Sequence, residues 1–132
     1  MMANTLTIGG VPEGFDADII LRQMQRDERP LMHIARDDKR LAAFAEAVRF
    51  FAPDMPVIRF PAWDCLPYDR VSPNADISAQ RMATLAGLVH GMPKQFILLT
   101  TLNAAMQRLP ARQVLRDAAF RAEVGRPIDE EA

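Results

Sequence analysis

Apolar positions along the chain change period several times, and each change marks an element boundary. Residues 5–8 (TLTI) are short and partly β-branched, and they predict a strand. Behind the glycine loop that follows, Ala17, Ile20, Leu21 and Met24 return at helical spacing, so the opening reads strand, loop, helix. Residues 31–35 (LMHIA), between Pro30 and the Asp37-Asp38 pair, predict a second strand and then a helix capped by those aspartates. On that helix Leu41, Phe44, Ala45, Val48 and Phe51 make one stripe, with Lys39, Arg40, Glu46 and Arg49 largely off it. The helix stops before Pro53, and residues 57–60 (VIRF) predict a third strand.

The regular pattern then breaks. Residues 61–73 (PAWDCLPYDRVSP) carry three prolines and no sustained period, which predicts a long structured loop. Asp76 is placed to cap a helix bearing Met82, Leu85, Leu88 and Val89, closed by Gly91 with Pro93 beyond it. Residues 95–101 (QFILLTT) form a continuous apolar run of the kind buried on both faces of a parallel sheet. Asn103 is expected to cap a short helical turn, and Pro110 to open another helix through Val114 and Leu115. Strands alternating with helices across short connections predict an α/β fold, a parallel sheet flanked by helices. Residues 120–124 (FRAEV) alternate like a strand, and 127–132 read as the opening of a helix with no body, as in a piece cut from a longer chain.

Composition narrows the functional classes. With 132 residues, 49% of them hydrophobic and 25% charged, the chain suits one domain with a real core. A net charge of −1 supplies no global field for nucleic acid or an acidic membrane, so any such contact is local. The single cysteine, Cys65, excludes an internal disulfide and a cysteine-rich zinc site, in keeping with a cytoplasmic location. Neither a secretory leader nor an apolar stretch of membrane-spanning length, about 18 residues, is present, so no membrane contact is expected. His33 and His90 lack clustered carboxylate or thiol partners and Cys65 lacks an adjacent histidine, so neither a metal site nor a catalytic group is expected. Asp64 and Asp69 flank the Trp63 to Tyr68 stretch and suit turns and caps better than an acid/base pair. Two candidate interaction surfaces remain. Trp63 and Tyr68, with Phe60 and Leu66, either cover the sheet edge or anchor a partner. Arg108, Arg112 and Arg116 recur every four residues, either as a solvated face or as a nucleic-acid-binding stripe, provided the turn at Pro110 keeps them in register.

Residues 9–16 (GGVPEGFD) sit where a phosphate loop would sit, and Gly9 and Gly14 have the outer spacing of G-x-x-x-x-G-K-[ST]. Phe15 stands where the lysine belongs and Asp16 where the magnesium-binding hydroxyl belongs. Pro12 removes one backbone donor from the cradle and Glu13 adds a carboxylate. At an effective dielectric of ~20, like charges ~4 Å apart repel by roughly 4 kcal/mol, so a triphosphate would be opposed. The loop reads as degenerate, with no cofactor of its own.

Three further motifs are more specific. They are W-D-x-L-P-Y-D-R-x-S-P from Trp63 to Pro73, R-x-A-T-L from Arg81 to Leu85, and T-x-N-A-x-M-Q-R from Thr101 to Arg108. With them the chain resembles, over roughly residues 9–125, the N-terminal region of the bacterial transcription-repair coupling factor (Mfd). The resemblance implies a RecA-like, P-loop-type fold similar to the first domain of UvrB over residues 1–118. Residues 119–132 would then begin the following UvrA-binding-type domain. It also implies a non-catalytic scaffold within the UvrA-recruiting, UvrB-like module of a protein acting in nucleotide-excision repair. The parent would displace stalled RNA polymerase by ATP-driven translocation on DNA, with ATP, magnesium, DNA and polymerase all engaged by domains outside this segment. Contacts with the rest of that parent would be intramolecular.

Overall fold

The structure, a computed structural model, describes residues 5–65 and 72–118. Its elements run α1 (Phe15–Asp27), β1 (Leu31–Ala35), α2 (Asp38–Phe51), β2 (Val57–Phe60), α3 (Ala75–His90), β3 (Ile97–Thr101), α4 (Leu102–Met106) and α5 (Arg112–Ala118). The three strands form one parallel sheet in the order β1-β3-β2. Leu31 faces Ile97 and Ala35 faces Thr101 across one ladder, and Val57 faces Ile97 across the other. The expected α/β architecture is present.

β3 lies in the middle, and every residue from Ile97 to Thr101 is buried, as its uninterrupted apolar run requires. Its alternate side chains feed two cores. Ile97 and Leu99 join Ala17, Leu21 and Met24 of α1 and Leu41, Phe44, Ala45 and Val48 of α2. Leu98 joins Phe60, Leu85, Phe96, Ala104 and Leu115 on the opposite face. Two threonines at the end of β3 stay buried because both hydroxyls are used. Thr100 donates to the Phe60 carbonyl at 2.9 Å, and Thr101 accepts from the Ala104 N–H at 3.3 Å.

Several boundaries differ from the sequence reading, each for a local reason. Residues 5–8 pair with no strand and are exposed; their two apolar side chains, Leu6 and Ile8, offer too little burial to offset ordering the segment. The loop at 9–14 therefore enters α1 from unpaired chain rather than from a strand. Asn74 caps α3, accepting from the Asp76 N–H at 2.8 Å, and Asp76 sits in the first turn instead. Thr101 caps α4, because strand passes to helix without a linker, and Asn103 lies inside the helix. Phe51 leaves the stripe of α2 and stands 41% exposed at its end. α3 buries Arg81, Thr84 and Leu85, while Met82 and Leu88 face outward. The expectations for residues 120–124 and 127–132 lie outside the described residues.

Candidate functional site

The glycine loop is tied down from within. Gly10 and Gly14 have φ of 73° and 90°, a left-handed backbone open to glycine, whereas Gly9 does not. Gly14 is the N-cap of α1 and makes no side-chain cap bond. The Phe15 N–H donates to the Pro12 carbonyl at 3.1 Å and the Ala17 N–H to the Asp16 carboxylate at 3.0 Å. Two donors that could face a phosphate thus already hold protein oxygens. Phe15 turns to Phe51, with ring centroids 6.2 Å apart, so the position of the expected lysine makes an apolar contact to α2.

Beside this loop lies a cavity of about 440 Å³, lined among others by Glu13, Gly14, Asp16, His33, Arg36 and Arg40. It opens past the carboxyl end of β1, the place where parallel α/β sheets hold ligands. Its arginines are engaged by neighbours: Arg40 meets Glu13 at 3.2 Å and Arg36 meets Asp37 at 3.1 Å. Asp37 also accepts from the Arg40 N–H at 2.8 Å as the cap of α2. That backbone bond, with the Arg36 guanidinium, holds the Asp37 carboxyl below its usual pKa. His33 stacks on Phe44, and burial lowers its pKa despite the opposing pull of Asp16. The lining is mixed in charge, with two carboxylates and two arginines around a half-buried imidazole.

The other expected surface residues fall in two places. Trp63 is half-buried at the exit of β2, while Tyr68, Leu66 and Asp69 lie outside the described residues. Asp64 accepts from the Asn74 N–H at 3.2 Å, joining the two ends of the proline-rich segment as a turn acceptor would. Arg112 and Arg116 share α5, exposed and one turn apart, but Arg108 sits in the non-helical link after α4, so the three do not form one helical stripe. Cys65 is a free, half-buried thiol. Among the described residues no group of three His, Cys, Asp or Glu side chains could hold a metal ion, and no helix is long and apolar enough to cross a membrane.

Sequence periodicity missed two residues. Arg81 is 1% exposed, with its guanidinium 4.2 Å from the ring centroid of Phe60 and 4.5 Å from that of Trp63. Gln107 accepts from the Trp63 N–H at 2.9 Å and from Arg81 at 3.2 Å. The signal was present in the motifs, since Arg81 opens R-x-A-T-L and Gln107 stands in T-x-N-A-x-M-Q-R. Amphipathic spacing alone assigns an arginine to solvent.

A three-stranded parallel sheet flanked by helices, with a crevice past β1, defines the class as an α/β domain. No family model matches the chain. It is similar to curated proteins named transcription-repair-coupling factor: that of Haemophilus influenzae is 30% identical over 109 residues, covering 83% of this chain and 9% of the relative. That of Escherichia coli is 27% identical over 116 residues, covering 88% of this chain and 10% of the relative. That of Myxococcus xanthus is 32% identical over 111 residues, covering 78% of this chain and 9% of the relative. The chain is thus a relative of one segment of the transcription-repair coupling factors, and the resemblance read from its motifs holds. It spans about a tenth of the length of these curated relatives.

Proposed function

We propose that the chain serves as a non-catalytic, scaffolding and regulatory part of the UvrA-recruiting, UvrB-like module of a transcription-repair coupling factor. Its parent would displace stalled RNA polymerase by ATP-driven DNA translocation, through domains outside this segment, in transcription-coupled nucleotide-excision repair in the cytoplasm. The observation that carries this reading is the similarity to transcription-repair-coupling factors over 78–88% of the chain. The loop supports its non-catalytic part. Pro12 lacks an N–H, the Phe15 and Ala17 donors are taken, and Glu13 and Asp16 present carboxylates to any incoming phosphate.

Calorimetric titration of the chain with Mg²⁺-ATP tests the non-catalytic part, with no saturable heat expected; a saturable isotherm that vanishes when the loop is altered overturns it. Pull-down of UvrA by a longer chain carrying this segment and the following domain tests the scaffolding part. Disrupting the two cores is expected to abolish capture, and capture that survives unfolding of this segment overturns the scaffold role.

A further inference from the structure

The three motifs that carry the family resemblance meet at one guanidinium. Trp63 comes from the first, Arg81 from the second and Gln107 from the third, and Trp63 and Gln107 are 44 positions apart in sequence. Arg81 reaches from α3 to lie between the Phe60 and Trp63 rings, and one of its terminal nitrogens donates to both the Pro61 carbonyl and Gln107 Oε1. The same Oε1 accepts from the Trp63 N–H, so Gln107 bridges the arginine and the backbone it stacks beside.

Among the described residues this buried charge is held by π faces and neutral acceptors, a costly way to fill space. Arg81 Nε is buried and finds no acceptor among the described residues, which adds to that cost. A methionine of similar length would fill the volume without it. What a planar guanidinium adds is direction: it offers its faces to the two rings and aims its donors within its own plane.

We propose that Arg81 is the positioning residue of the Trp63 segment, setting the path of the chain as it leaves β2 and the orientation of the indole, with Gln107 as its second anchor. Withdrawing Trp63 would strip the guanidinium of one of the two ring contacts it makes among the described residues, so the indole is held in one place by the fold itself.

Trp63 is the single tryptophan of the chain, so its emission reports this site alone. Fluorescence, acrylamide quenching and near-ultraviolet circular dichroism are measured on wild type, Arg81→Met, Gln107→Ala and Gln107→Glu, with far-ultraviolet spectra as the folding control. Arg81→Met and Gln107→Ala are expected to red-shift the emission and increase quenching with the fold intact. Gln107→Glu keeps an oxygen that can accept both bonds and is expected to retain the wild-type signature. A folded Arg81→Met whose Trp63 emission and quenching match wild type overturns the proposal. Should Arg81→Met fail to fold, the glutamine pair decides: Gln107→Ala indistinguishable from wild type overturns it equally.

Discussion

The imidazole of His33 lies flat against the phenyl ring of Phe44, with centroids 3.7 Å apart and planes inclined by 4°. Burial in this stack opposes protonation and lowers the His33 pKa from its ordinary 6.5, with Asp16 pulling the other way. The unfolded chain therefore binds the proton more readily than the folded one. Stability is expected to fall as the pH drops below about 6.5 and to level off below the folded pKa, an effect absent above neutrality. Denaturant midpoints of wild type and His33→Phe between pH 5 and 8 check this. His33→Phe should remove the part of the slope that falls in this window, and an unchanged slope places it on other groups.

The loop glycines are not equivalent. Gly14 holds φ at 90°, where an alanine side chain crowds its own backbone, while a Cβ at Gly9 meets open space at an ordinary φ. Gly14→Ala is expected to cost about 1–2 kcal/mol, and Gly9→Ala under about 0.5 kcal/mol. Urea unfolding of the two variants separates them.

Asp37 caps α2 through the Arg40 N–H, which it accepts at 2.8 Å. Asp37→Ala is expected to lower the melting temperature, and Asp37→Asn to keep most of it at neutral pH because asparagine caps as well as aspartate. The advantage of aspartate should shrink under acid. Its folded pKa is depressed, so the stabilisation it adds is present above the unfolded carboxylate pKa and lost as the pH falls through the folded one. Melting curves at pH 7 and at pH 3 give the comparison.

Leu99 is fully buried on β3, whereas Phe50 is 81% exposed at the end of α2. Leu99→Ala is expected to cost about 2–5 kcal/mol through lost transfer energy and the cavity left behind. Phe50→Ala is expected to stay within about 0.5 kcal/mol of wild type. Equilibrium unfolding of both variants tests whether the larger ring or the smaller buried chain matters more.

The central elements were legible because period and burial agree in them. LMHIA, VIRF and the ILLTT core of QFILLTT are strands, and Leu41, Phe44, Ala45 and Val48 are the buried stripe of α2. Caps were less legible, since Asn74 and Asp76, or Thr101 and Asn103, offer similar oxygens two residues apart and only backbone direction chooses between them. The segment TLTI has strand composition, yet pairing depends on a partner edge that local sequence does not encode. At the candidate site, the identities of Pro12, Glu13, Phe15 and Asp16 were readable one by one. The convergence of Trp63, Arg81 and Gln107 was not, because it joins α3 to two residues outside the helices and strands, far apart in sequence, and hides a charge inside a contact.

β1 and β2 do not pair with each other; each is joined to the sheet through β3, the last of these three strands in sequence. During synthesis, then, nothing can pair until residues 97–101 have left the ribosome, and both cores wait for the same five residues. The nascent chain would carry its first two strands as unpaired edges for roughly forty to sixty residues of elongation, at roughly 5–20 residues per second, before β3 pairs with both.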